Sequence, residues 1–145
     1  MENDKLKRFI KTTIREFIDE NVNNKLLYHG SNTPNLSTLK PQTNKYHSIP
    51  PSIFLTTKKS VAKDYGRYIY KVKVKCNNIR EIDVYGDSFH NYLSFEDKIY
   101  SAYDDGYDCV IFKNIMDSKE PNTKVPLSDI YVVFDSNNVD IIGNF

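Results

Sequence analysis

Across residues 68–75 the side chains alternate in character. Tyr68, Tyr70, Val72 and Val74 fall on one side of an extended chain, and Ile69, Lys71, Lys73 and Lys75 on the other. Successive side chains of a strand point to opposite faces. This stretch therefore predicts a strand with one buried and one wetter face, and requires a sheet around it. The run 107–112 is nearly continuous in apolar character, as expected of a central strand. Further strands are expected at 25–29, 53–56, 79–85, 130–134 and 139–142, the last after a turn at 135–138.

Helical spacing appears in three places. In residues 4–20, Leu6, Phe9, Ile10, Ile14, Phe17 and Ile18 recur every three or four positions and form one apolar stripe. Lys5, Lys7, Arg8, Lys11 and Arg15 come early in that helix, and Glu16, Asp19 and Glu20 late. This order opposes the helix dipole, so packing must hold the helix. The plainest use of its stripe is to cover the domain's own core; docking a partner or a nucleic acid is the alternative. A second helix is expected at 58–65, capped by Thr57 and ended by Gly66. A third is expected at 89–103, with Tyr92, Leu93, Ile99, Tyr100 and Tyr103 as its apolar positions. The segment 32–51 carries Pro34, Pro41, Pro50 and Pro51 and reads as loop, as does 114–127 with Pro121 and Pro126. Strands and helices do not alternate strictly, so the fold class is α+β rather than a doubly wound sheet.

The chain has 145 residues, the length of one domain with its own core. We read it as an N-terminal amphipathic helix over 1–24 followed by a domain over 25–145. A hydrophobic content of 39% argues against a disordered chain. A net charge of +1 supplies no overall field to draw in nucleic acid or a membrane surface. Cys76 and Cys109 sit inside strand runs and are expected to be buried thiols. No His/Cys cluster has metal-ligand spacing, so no metal is expected. No signal peptide and no apolar run long enough for a membrane span is visible. The expected setting is cytoplasmic, and the expected state a monomer.

Three separated segments carry the candidate chemistry. The first is Leu27-Tyr28-His29-Gly30-Ser31, in which a histidine and a serine offer polar groups beside a glycine that lets a ligand approach the backbone. The second is Ser52-Ile53-Phe54-Leu55-Thr56, followed by Ala62 and Tyr65. The third is Asp129-Ile130-Tyr131-Val132-Val133-Phe134-Asp135. His-Gly pairs are common, and Tyr65 alone would read as a core aromatic sharing a helix face with Val61.

In this order, the segments resemble the NAD-binding core of ADP-ribosyltransferases of the diphtheria-toxin and poly(ADP-ribose) polymerase branch. There the first motif is His-Gly-Ser or His-Gly-Thr, and the second is Gly-Ile-Tyr-Phe-Ala with Ser-Ala-x-Tyr after it. The third is Asn-Glu-Tyr-Ile-Val-Tyr-Asp. The pattern 107–114, a polar loop, then 128–131 is similar to ADP-ribosyltransferase-like domains of phages and mobile elements.

The resemblance implies a split β-sheet core and NAD as substrate. His29 would hold the adenosine ribose and Gly30 the nicotinamide carboxamide, with Ser31, Thr56 and Ala62 nearby. Phe54 and Tyr65 would sandwich the nicotinamide ring. Ile130 stands where the branch keeps its catalytic glutamate, and Asp129 beside it is the candidate acid if the backbone turns it inward. The implied activity is transfer of single ADP-ribose units to a protein or nucleic-acid acceptor. The alternatives are a nucleotide-binding module without catalysis, or a structural or docking protein on the same fold. A fourth possibility is RNA 2′-phosphotransfer on a related fold, which usually needs several pocket Arg and Lys; the sequence alone does not place such a set.

Overall fold

A computed structural model of the protein describes residues 22–43, 48–88, 94–117 and 125–144. The expected helix 4–20, Tyr92, Leu93 and part of the 114–127 loop lie outside the described residues. The elements are β1 (Leu27–Ser31), β2 (Ile53–Thr56), α1 (Lys59–Ala62), β3 (Tyr68–Val74), β4 (Ile79–Asp83), α2 (Phe95–Asp104), β5 (Cys109–Ile115), β6 (Ser128–Val133) and β7 (Val139–Asn144). A short 3₁₀ turn, Ser136–Asn138, joins the last two strands. The seven strands form one sheet in the order β4-β5-β6-β2-β1-β3-β7. Only β4 and β5 run parallel, joined through α2; every other pair is antiparallel. The fold class is α+β, a small domain built on one mixed sheet.

The alternation at 68–75 appears as expected in β3. Tyr70, Val72 and Val74 are buried against Leu27, Ile53 and Leu55, while Lys71 and Lys73 turn to the other face. Burial of such side chains contributes roughly 1.5–3 kcal/mol each. The Tyr70 hydroxyl donates to Thr33 O at 2.6 Å and accepts from Leu36 N at 3.2 Å, so the core tyrosine also ties down the loop after β1. Cys76 and Cys109 are buried, free thiols on the same face. Burial pushes the Cys109 thiol pKa well up, with Cys76 beside it adding to the shift.

The opposite face of β5 and β6 is covered by α2. Phe95, Ile99 and Ala102 recur at four- and three-residue spacing and bury against Val110, Phe112, Ile130 and Val132. Tyr100 and Tyr103, expected to be apolar core positions, are instead exposed. Tyr103 packs edge-on against Phe134, with ring centroids 5.3 Å apart. Glu96 and Asp97 occupy the first turn of α2, where they favour the helix dipole, and Gly106 follows its end at φ 82°.

Two local expectations are corrected. The helix expected over 58–65 is only the single turn α1, and Thr57 does not cap it. The Thr57 hydroxyl accepts instead from Asp129 N at 3.0 Å, and Lys58 N donates to Thr56 Oγ1 at 3.2 Å. The loop expected from 114 begins later, because β5 continues to Ile115 through a bulge. Phe112 pairs with Ile130 and Ile115 with Ser128, so Lys113 and Asn114 together oppose Asp129 alone. Asn114 takes φ 58°, a left-handed conformation that asparagine tolerates better than most residues.

The sheet narrows at its centre. β1 pairs with β3 along its whole length, but with β2 only at Tyr28↔Thr56. Beyond that pair no registered partner joins β1 to β2 among the described residues. The candidate site lies at this divergence. No helix among the described residues is long and apolar enough to cross a membrane.

Candidate functional site at the divergence of β1 and β2

Had the β1–β2 ladder continued, Gly30 would stand opposite Phe54. Instead the His29 ring enters the gap, and Nδ1–H donates to Phe54 O at 2.8 Å. Where β1 no longer pairs with β2, the imidazole supplies a donor to this half-buried carbonyl. The bond also fixes the tautomer. With Nδ1 carrying the proton, neutral His29 presents Nε2 as an acceptor. In this geometry Nε2 accepts from a hydroxyl and donates only when the ring is protonated.

Burial holds the His29 pKa below its ordinary value of 6.5, with the Phe54 bond acting the other way and more weakly. The folded state therefore prefers the neutral ring. As pH falls, the unfolded chain protonates first and binds more protons, so stability drops. The contribution is complete above 6.5 and is lost as pH falls below that value toward the folded-state pKa. Urea unfolding of the parent and of His29→Gln, from about pH 7.5 to about pH 5.5, should show a shallower loss in the variant. Parallel slopes would mean that His29 titrates as a free imidazole.

Gly30 and Gly66 bring α1 onto this gap. A Cβ built on Gly30 would lie 2.0 Å from Ala62 O, and one on Gly66 would lie 2.4 Å from the Ser31 backbone. Both glycines thus serve the contact between β1 and the α1 turn. The space that a ligand amide would take over Gly30 is filled on that side by Ala62. The Ser31 hydroxyl accepts from Thr33 N at 3.1 Å and shapes the turn after β1. Tyr65 N donates to Ala62 O at 3.1 Å, which sets the tyrosine one step along from the Gly30 contact.

The Tyr65 ring is 39% exposed, while its hydroxyl turns inward and donates to the Asp117 carboxylate. Burial, then the negative charge of Asp117, pushes the Tyr65 pKa well up, so the phenol stays protonated. Asp117 is itself buried, at 8% exposure. Sequence reading missed it: Tyr65 and Asp117 are 52 positions apart, and only the need of a phenol for a partner hinted at such a group.

The two residues of the third motif part company. Ile130 is 1% exposed and packs with the α2-facing cluster, between Thr56 and Phe112 in register. Asp129 turns to the other face of β6. Its Oδ1 accepts from Asn114 N at 3.1 Å, taking up the amide freed by the bulge, and Oδ2 lies 3.9 Å from Lys25 Nζ. The bulge is in β5, so it leaves the alternation of β6 intact and does not turn Asp129 toward the Ile130 face.

Asp129 lines a cavity of about 470 Å³ with Val22, Asn24, Lys25, Glu81, Lys113 and Tyr131. Burial pushes the Tyr131 phenol up, and the nearby Cys109 and Asp129 add to this. The structure therefore joins His29 to Phe54, packs Gly30 against Ala62, and places Asp129 in a separate, mixed-charge cavity. Among the described residues no group of His, Cys, Asp or Glu is placed to hold a metal ion. No protein-family model, no curated protein and no solved structure matches this chain.

Proposed function

We propose that this protein binds NAD at the divergence of β1 and β2 and transfers a single ADP-ribose unit to a protein or nucleic-acid acceptor. The observation that supports this most is the His29–Phe54 bond across the gap. It joins two segments that sequence alone could only set side by side, and leaves Nε2 of the neutral ring as an acceptor. Tyr65 adds an exposed ring face whose angle is fixed by Asp117. A flat heterocycle could stack on Tyr65, with Phe54 as the second aromatic wall. The resemblance implies a split sheet; the strands form one sheet, and the single registered pair between β1 and β2, Tyr28↔Thr56, is its weakest join.

A second reading has its own support. Ile130 is sealed beneath α2 and offers no polar atom to a ribose. A pocket that keeps its binding groups and lacks an acid at that position suits a nucleotide-binding module without turnover. Incubating the protein with labelled NAD and an extract of its native cell separates the two. The transferase reading expects label in protein or nucleic acid, lost in His29→Ala. Binding of NAD without transfer supports the module; no binding removes both readings.

A further inference from the structure

The β5 bulge decides which way Asp117 points. Ile115 shares the face of Ser128 because the two are paired, and Ser128, Ile130 and Thr56 share the α1 side of the sheet by alternation and register. Met116 makes a bridge to Ser88, so the chain stays extended and Asp117 returns to the face of Ile115. Without the extra residue at 113–114, Asp117 would turn to the opposite face. Bulges re-aim side chains in this way beside functional sites.

The same face holds a second polar group. Ser128 is 4% exposed, and its Oγ has no hydrogen-bond partner among the described residues. Asp117 lies two residues past Ile115, the partner of Ser128, and on the same face, which puts both groups at one end of β6. Tyr65 closes the group by donating to Asp117. A buried hydroxyl left unpaired on the same face as a held carboxylate is a feature that a folded chain has reason to lose unless something completes it.

We infer that Asp117 and Ser128 form a subsite for a sugar diol, the vicinal hydroxyls of the nicotinamide ribose of NAD. This rests on the NAD reading above and supplies, from a different strand, the carboxylate that Ile130 cannot. The carboxylate accepts from one hydroxyl, and Ser128 Oγ exchanges a hydrogen bond with the other. In transfer, the bond from the ribose C1′ to nicotinamide breaks and its electron pair leaves with neutral nicotinamide. The positive charge passes to the ribosyl carbon beside the Asp117 carboxylate. The acceptor's lone pair then forms the new bond, and its proton goes to solvent.

The test is calorimetric titration of the full chain with NAD and with its analogues lacking the 2′- or the 3′-hydroxyl of the nicotinamide ribose. The parent should prefer NAD over at least one analogue by roughly tenfold to a hundredfold, the value of a hydrogen bond to a charged group. Asp117→Asn should narrow that preference to within about threefold. Ser128→Ala should narrow it too without lowering the melting temperature, since it removes an unpaired hydroxyl; it keeps the test valid if Asp117→Asn folds poorly. Binding of NAD that depends on His29, with the preference unchanged in both variants, overturns the subsite and leaves the pocket standing. A parent that does not bind NAD overturns both.

Discussion

Replacing Gly30 with alanine should destabilise the protein by about 3 kcal/mol or more, a fall of roughly 10 °C in melting temperature. The new methyl would lie 2.0 Å from Ala62 O and 3.0 Å from Ala62 C, both backbone atoms, so no side chain can rotate away to make room. Either β1 or α1 must move, and a shift of β1 loosens the His29–Phe54 bond beside it. Gly66→Ala meets the backbone of Ser31 at 2.4 Å from the other side and should behave alike. Gly143→Ala is the control. Its methyl would meet only Lys71 Cδ at 3.9 Å, and alanine restricts the unfolded chain more than glycine does, so it should be neutral or mildly stabilising. Thermal melts of the three variants decide the matter. A Gly30→Ala protein as stable as the parent would mean that β1 and α1 do not touch as described.

Restoring a carboxylate at the third motif should fail. Ile130→Glu puts an ionisable group at a position 1% exposed, between Phe112 and Thr56 and under α2. Lost packing and burial of an unpaired polar group together should cost about 5 kcal/mol or more. That is most of the stability of an ordinary domain, so the variant should be largely unfolded by circular dichroism. Ile130→Val, which keeps the shape, should cost only about 0.5–1.5 kcal/mol. A folded Ile130→Glu protein with increased nicotinamide release from NAD would show that position 130 reaches the pocket after all.

Much of the sheet was legible in the sequence. The alternation at 68–75 became β3 with the expected buried face, and the apolar runs at 107–112 and 130–134 became neighbouring strands. The motif segments were legible too, and the sheet pairs the first with the second at Tyr28↔Thr56 and the second with the third along β2 and β6. What the sequence hid depends on contacts between distant positions. Lys113-Asn114 reads as the polar start of a loop, yet it is a bulge that keeps β5 in the sheet and turns Ile115 and Asp117 to the Ile130 face. Thr57 has the chemistry of a cap, but β6 offers its hydroxyl an amide at 3.0 Å. Tyr100 and Tyr103 fit an apolar stripe by spacing, while the helix is covered through Phe95, Ile99 and Ala102. Asp129 and Ile130, adjacent in sequence, could not both face the pocket once β6 was regular.

Two places now compete for the ligand: the β1–β2 divergence, where His29 bonds Phe54, and the cavity lined by Asp129, Glu81 and Lys113. The most direct test is to titrate NAD into isotope-labelled protein and follow the backbone amide resonances. Our account predicts that the amides of Tyr28 to Ser31, Phe54 to Thr57, Ala62 to Gly66 and Asp117 move together with one dissociation constant. Movement confined to Lys25, Glu81, Lys113 and Asp129, or no movement at all, would contradict it.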